Sequence, residues 1–169
     1  MAQELGLPFD PIARAEELWN LRWGDAGAMA AATSIMRVQQ LLLARFDDVL
    51  KPHGLTFARY EALVLLAFSR SGELPMGKIG ERLMVHPTSV TNIMQRLEQQ
   101  GLVSRRPNPN DGRGLLASLT DSGREVMERA TKDLVGTGFG LTALGEDGRR
   151  QLFDLLRGVR IAAGDFGPD

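Results

Sequence analysis

Apolar positions fall at helical spacing over most of the chain, and the breaks in that pattern divide it into elements. Residues 1–11, with Gly6, Pro8 and Pro11, read as a loose lead-in. Asp10-Pro11 then signals a helix start, an acidic N-cap followed by proline in the first turn. That helix runs to about Trp23, with Ile12, Ala15, Trp19 and Trp23 on one face, and Gly24 ends it. A long helix is predicted over 26–50, where Ala28, Ile35, Leu42 and Val49 recur every seven residues and Ala31, Val38 and Phe46 fill between them. Such a stripe packs on another helix, of this chain or of a second one. Pro52 and Gly54 stop it.

Thr56 caps the next predicted helix, 57–69, whose centre at 62–68 is apolar all round and belongs in the core. A short helix over 77–83, a turn at 84–86 and a helix from Pro87 to about Gln100, closed by Gly101, come next. Two β-like runs, 102–106 and 115–119, flank the turn-rich residues 107–112 and predict a hairpin with a long tip. Thr120 caps a helix over 121–135, and Gly136, Gly138 and Gly140 form a flexible joint. A last helix over 145–163 carries Leu152, Phe153, Leu155, Leu156 and Val159. The expectation is a mostly α fold with a small β-hairpin wing. The lead-in is followed by N-terminal dimerisation helices (12–54), a winged helix-turn-helix lobe (55–120) and C-terminal dimerisation helices (121–165).

Composition removes several chemistries. The chain has 169 residues, 43% of them apolar, so a core forms without staples. It has no cysteine, which excludes disulfides, thiolate metal sites and thiol redox sensing. With only His53 and His86 present, a multi-histidine metal site is not expected, and no cofactor is implied. No run is long enough for a membrane span, and the N-terminus lacks a signal-peptide pattern, so the expected location is the cytoplasm. No phosphate loop or paired acid–base constellation is present, and no enzyme is expected.

The informative stretch is 75–120, with the order short helix, turn, helix, hairpin. The helix from Pro87 places Val90, Ile93, Met94 and Leu97 on one face. Its other face holds Thr88, Ser89, Thr91, Asn92, Gln95, Arg96 and Gln99, without a carboxylate before Glu98. Hydroxyls, amides and one guanidinium donate and accept toward base edges and phosphates without repelling them. Unpaired N–H groups at residues 87–89 are expected to add a phosphate site. The plain alternative is a solvated polar helix. The net charge is −1, which alone argues against a polyanion ligand, yet residues 75–124 carry seven basic and four acidic side chains. That window is about +3 and the remainder about −4.

Residues 83–120, reading LMVHPTSVTNIMQRLEQQGLVSRRPNPNDGRGLLASLT, resemble the MarR family of bacterial transcriptional regulators. The match includes Val85, Ser89, Val90, Thr91, Arg96, Leu97, Glu98 and Gly101-Leu102-Val103, and the wing pattern Asp111-x-Arg113 before Leu119-Thr120. The resemblance implies a ligand-responsive regulator, typically a repressor. It binds a pseudo-palindromic double-stranded operator as a homodimer, with two reading heads about 10 bp apart. Residues 87–100 become the recognition helix in the major groove, with Thr88, Ser89, Thr91, Asn92, Gln95 and Arg96 on bases or phosphates. Arg113 matches the wing arginine of the minor groove, and Asp111 the acid that orients the wing. Arg105 and Arg106 match wing-base positions, either on phosphates or at a solvated strand edge. Two departures stand out. Met84 replaces a common turn glycine, which implies a turn without positive φ. His86 replaces a common serine cap and either contacts phosphate or caps the helix.

The resemblance also implies a small organic effector between the dimer helices and the reading lobe. The candidate residues are Trp19, Arg22 and Trp23 on the first helix and His53, Arg59 and Tyr60 near the next junction. The Trp19/Trp23 pair also suits plain dimer packing. A winged-helix protein-interaction module without a DNA role is the reading from a different class, and it would call for apolar residues on the outer face of 87–100.

Overall fold

The computed structural model describes residues 5–167, excepting the side chain of Arg113. Helix α1 spans Pro11–Trp23, and the Asp10 carboxylate caps it by accepting the Ile12 N–H at 2.8 Å. Helix α2 spans Gly27–Leu50, about 36 Å at 1.5 Å per residue. Only Phe46 and Leu50 in its last turns are buried. A 3-10 turn at Lys51–His53 and a left-handed Gly54 (φ 69°) redirect the chain into α3, Phe57–Ala67. The start of α3 differs from the expectation. Thr56 sits at the N-cap position but its hydroxyl accepts from Arg59 Nε instead. The first N–H, that of Phe57, is taken at 2.9 Å by Asp47 of α2.

The apolar run at 62–68 is less central than its composition implies. Ala62, Leu63 and Leu66 are wholly buried, Val64 and Leu65 are half-buried, and Phe68 is 83% exposed just past the helix end. A three-residue strand that periodicity does not reveal, β1 (Glu73–Pro75), follows. It leads without a loop into α4, Met76–Leu83. Helix α5 spans Pro87–Gln99, and the wing is β2 (Val103–Asn108) and β3 (Asp111–Leu119). The antiparallel sheet has the order β1-β3-β2, so β3 is its central strand.

Helix α6 spans Asp121–Gly136, and Thr120 Oγ1 accepts the Gly123 N–H at 2.9 Å, the expected cap. The expected flexible glycine joint is a defined left-handed turn: Gly138, Phe139 and Gly140 all have positive φ. Phe139 packs edge-on against Phe46 with ring centroids 5.9 Å apart. Helix α7 spans Glu146–Ala162.

The core gathers Leu50 of α2, Leu63 and Leu66 of α3, Ile79 of α4, Met94 and Leu97 of α5, and Leu134 of α6. Each such side chain stabilises by about 1.5–3 kcal/mol on burial. The lobe of α3 to α5 and the sheet is thus built on the C-terminal end of α2 and the face of α6. Helices α1 and α7 bury no residue within the chain. Among the described residues, no helix is long and apolar enough to cross a membrane.

Candidate nucleic-acid interface

Helices α4 and α5 are joined by a turn of three residues. Met84 adopts φ 55°, ψ 39°, and the Val85 N–H returns to the Gly80 carbonyl at 3.1 Å. This closes α4 in the left-handed manner that glycine usually serves. The expectation of a turn without positive φ is therefore corrected. Reversing the chain in so few residues requires the left-handed region whatever side chain occupies it, and Met84 tolerates it with its side chain mostly in solvent.

Helix α5 presents the two faces its sequence implies. Val90, Met94 and Leu97 are buried and Ile93 is half-buried. Thr88, Ser89, Thr91, Asn92, Gln95, Arg96 and Gln99 are exposed. Among the described residues no side-chain partner engages Asn92, Gln95 or Arg96, whereas the Thr91 hydroxyl donates back to the Pro87 carbonyl at 3.1 Å. The N-terminus is more satisfied than expected. His86 Nδ1 accepts the Thr88 N–H at 3.3 Å and the His86 carbonyl accepts the Ser89 N–H at 2.9 Å. His86 is thus the helix cap, and the helix dipole rather than unpaired N–H groups remains there for an anion.

The hairpin tip is tighter than its composition implies. Asn108 pairs with Asp111 across Pro109-Asn110, and Asn108 Oδ1 accepts the Asn110 N–H at 3.0 Å. The next pair is Pro107 with Leu115, so residues 112–114 bulge from β3. Asp111 folds over this bulge: a Cβ added to Gly114 would lie 2.8 Å from Asp111 Oδ2. The backbone of Arg113 is in the bulge, and its side chain lies outside the described residues.

The arrangement is a helix-turn-helix followed by a two-stranded wing, on a helical base. A family model described as MarR family matches residues 53–114, the whole of this unit up to the wing tip. A MarR family transcriptional regulator of Streptomyces coelicolor, Sco5413, shares 62% identity with the chain. It covers 83% of this chain and 98% of its own, with a TM-score of 0.78. This protein belongs to the MarR family of transcriptional regulators. The organic hydroperoxide resistance transcriptional regulator of Bacillus subtilis is 33% identical over 112 residues, 66% of this chain and 74% of that one. Sco3205 of Streptomyces coelicolor, a family member solved in complex with DNA, is 28% identical, covers 83% of this chain and 90% of its own, and has a TM-score of 0.76. The family is one of regulators and not of enzymes.

In this MarR-family chain the two wing-base arginines both meet carboxylates. Arg105 directs Nε at 2.9 Å and Nη2 onto Oε2 of Glu98, in the last turn of α5. The guanidinium holds the Glu98 carboxyl below its usual range. Arg106 reaches across β3 to Glu73, with Nη2 at 2.7 and 2.9 Å from the two oxygens. Glu73 gave no sign in the sequence, because the strand that carries it has only three residues.

The effector candidates form two separate groups. On α1 the Trp19 and Trp23 rings lie 4.7 Å apart and the Arg22 guanidinium sits 4.9 Å from the Trp23 centroid, all exposed. At the lobe junction His53 Nε2 meets Asp133 of α6 at 2.7 Å. Arg59 donates to the Gly54 carbonyl at 3.3 Å, and the buried Tyr60 hydroxyl meets Thr131 Oγ1 at 3.0 Å. Of these six residues only Tyr60 lines an apolar cavity of about 540 Å³ between α3, α6 and the turn at Phe139, walled by Phe57, Val64, Leu65 and Met127. Glu61 stands at its edge. Its side chain is exposed, yet the apolar walls withdraw enough water to raise its carboxyl above the usual range.

Proposed function

We propose that this protein is a homodimeric repressor that binds a pseudo-palindromic operator and is released by a small organic effector. The observation that carries the reading is the exposed outer face of α5. It offers hydroxyls, amides and Arg96 with no carboxylate before Glu98, while the opposite face locks the helix into the core. On this reading Asn92, Gln95 and Arg96 meet bases in the major groove, and Thr88, Ser89 and Thr91 meet bases or the adjacent phosphates. Arg113 enters the flanking minor groove from the wing bulge, whose form Asp111 sets. That a relative of similar fold was solved with DNA supports the reading.

Two copies are required because one head reads too few base pairs, and the exposed apolar faces of α1 and α7 are the surfaces for pairing. The effector is a small, mainly apolar molecule seated in the cavity beside Tyr60, between the pairing helices and the reading lobe. The test is duplex binding by the wild type and Arg113→Ala. Loss of that arginine lowers affinity for an operator duplex by roughly 10- to 100-fold, with the dimer intact in sedimentation. Unchanged affinity overturns the wing assignment. A thermal-shift panel of small aromatic acids and phenols tests the effector, which raises the melting temperature of the wild type and not of a variant with the cavity filled at Val64→Trp.

A further inference from the structure

Arg106 has the residue type and the place for a phosphate contact, yet it is already engaged. Its Nη2 donates to both oxygens of Glu73, at 2.7 and 2.9 Å. Glu73 is unusually well fixed for an edge-strand carboxylate. The Ser118 hydroxyl donates to its Oε2 at 3.2 Å. The hydroxyls of Ser69 and Ser71 both donate to its backbone carbonyl, at 2.9 and 3.0 Å. Leu74 beside it is buried and anchors the strand. With the strand backbone fixed and Ser118 on one carboxylate oxygen, Glu73 has less side-chain entropy to lose on pairing, and that loss is the usual reason that surface ion pairs are weak. The Glu73 side chain is 27% exposed and that of Arg106 51%, so the arginine is the half in reach of solvent.

The Arg105–Glu98 pair is different. Successive strand residues point to opposite faces of the sheet, so one duplex cannot engage both arginines. Arg105, with a side chain 20% exposed, is turned toward α5 and ties the wing to that helix. The Lys78–Glu81 pair is exposed on both sides and yields readily to water.

We propose that Glu73 is a specificity-determining residue that withholds Arg106 from DNA phosphates. Nonspecific affinity grows with each cation that displaces counterions, whereas sequence discrimination comes from base contacts. A wing-root arginine neutralised from within removes the first without touching the second. Arg96 and the wing tip then carry the reading charge. This inference rests on the DNA-binding reading above.

The experiment is fluorescence anisotropy of a random-sequence duplex of about 30 bp, titrated with wild type, Glu73→Gln, Arg106→Gln and the double variant over about 25–250 mM KCl. Glutamine keeps the shape and the Ser118 contact while removing the charge. Glu73→Gln is expected to steepen the slope of log affinity against log salt by about 0.9 per protomer and to tighten low-salt binding on the order of tenfold. Arg106→Gln, which bares the Glu73 carboxylate, is expected to bind more weakly than the wild type, and the double variant, neutral at this pair as the wild type is, to match the wild type. A slope unchanged by Glu73→Gln overturns the proposal. So does a double variant with a shallower slope and weaker binding than the wild type, which would mean that the arginine is already on phosphate. A slope that stays steep in the double variant overturns it as well, because the added charge would not be that of Arg106. If the wild type binds no duplex at low salt, the DNA-binding reading itself fails and this inference falls with it.

Discussion

Glu61 and Glu98 are both glutamates on helices beside a functional surface, and their environments drive them in opposite directions. The apolar wall of the cavity raises the Glu61 carboxyl, so the folded state prefers it neutral. Stability from this group is full below the ordinary carboxyl range. It is lost as pH rises from that range through the raised folded value. Arg105 lowers the Glu98 carboxyl, and there the contribution is present above the ordinary range and lost as pH falls through the lowered value. Glu61→Gln is therefore expected to raise the melting temperature at about pH 7 and to leave it unchanged at about pH 3, read by circular dichroism. A variant that melts lower at neutral pH would show that the charged form is the one the fold favours. The left-handed Met84 belongs to this scale as well. A side chain appears where glycine is usual because the turn constrains the backbone and not the residue type.

At the scale of elements, α5 and α6 show how short signals set position. His86-Pro87 starts α5 with a ring nitrogen as cap, and Gly101 (φ 71°) releases the chain into β2. Thr120 starts α6 and its hydroxyl also donates to the Gly101 carbonyl at 2.8 Å, which binds the end of the helix-turn-helix to the start of α6. The close approach depends on Gly123. A Cβ there would lie 2.0 Å from the Leu102 carbonyl oxygen, a backbone atom that cannot step aside. Gly123→Ala is expected to destabilise the protein by about 3 kcal/mol, measured by urea unfolding. A cost below about 1 kcal/mol would mean that α6 shifts freely relative to the wing root. By propensity alone the same change would stabilise a helix, so the sign separates packing from propensity.

At the scale of the molecule, the chain divides into a lobe with a core and helices without one. Leu155 and Val159 of α7 are 72% and 61% exposed, and Trp23 of α1 is 64% exposed. Apolar side chains at helical spacing with no cover in their own chain mark a surface for association. On the proposed dimeric reading, Leu155→Glu is expected to shift the protein toward monomer in sedimentation and to weaken operator binding with it, since that reading sets both heads on one site. A variant that remains a dimer moves the pairing surface elsewhere. The charge follows the same division. The window 75–124 is about +3 and the rest about −4, and the structure sets Arg106 of that window against Glu73 just outside it, which leaves about +2. The charge left for a polyanion is smaller and more local than the sequence total.

The sequence by itself determined the order of the helices, their caps at Asp10 and Thr120, the two faces of α5 and the presence of a hairpin. These rest on interactions within a few residues, or on periodicities that repeat along one element. Tertiary structure decided the rest. Strand β1 has three residues and exists only because β3 pairs with it. Asp47 rather than Thr56 caps α3 because the turn at 51–54 swings the two helices together. Phe68 looks like core by composition and is exposed because α3 ends before it. Arg105 and Arg106 read alike as basic residues, and only the fold gives each its glutamate, from 7 residues away for one and 33 for the other. Charge can be counted along a chain, but its availability depends on which side chains the fold brings within hydrogen-bonding distance.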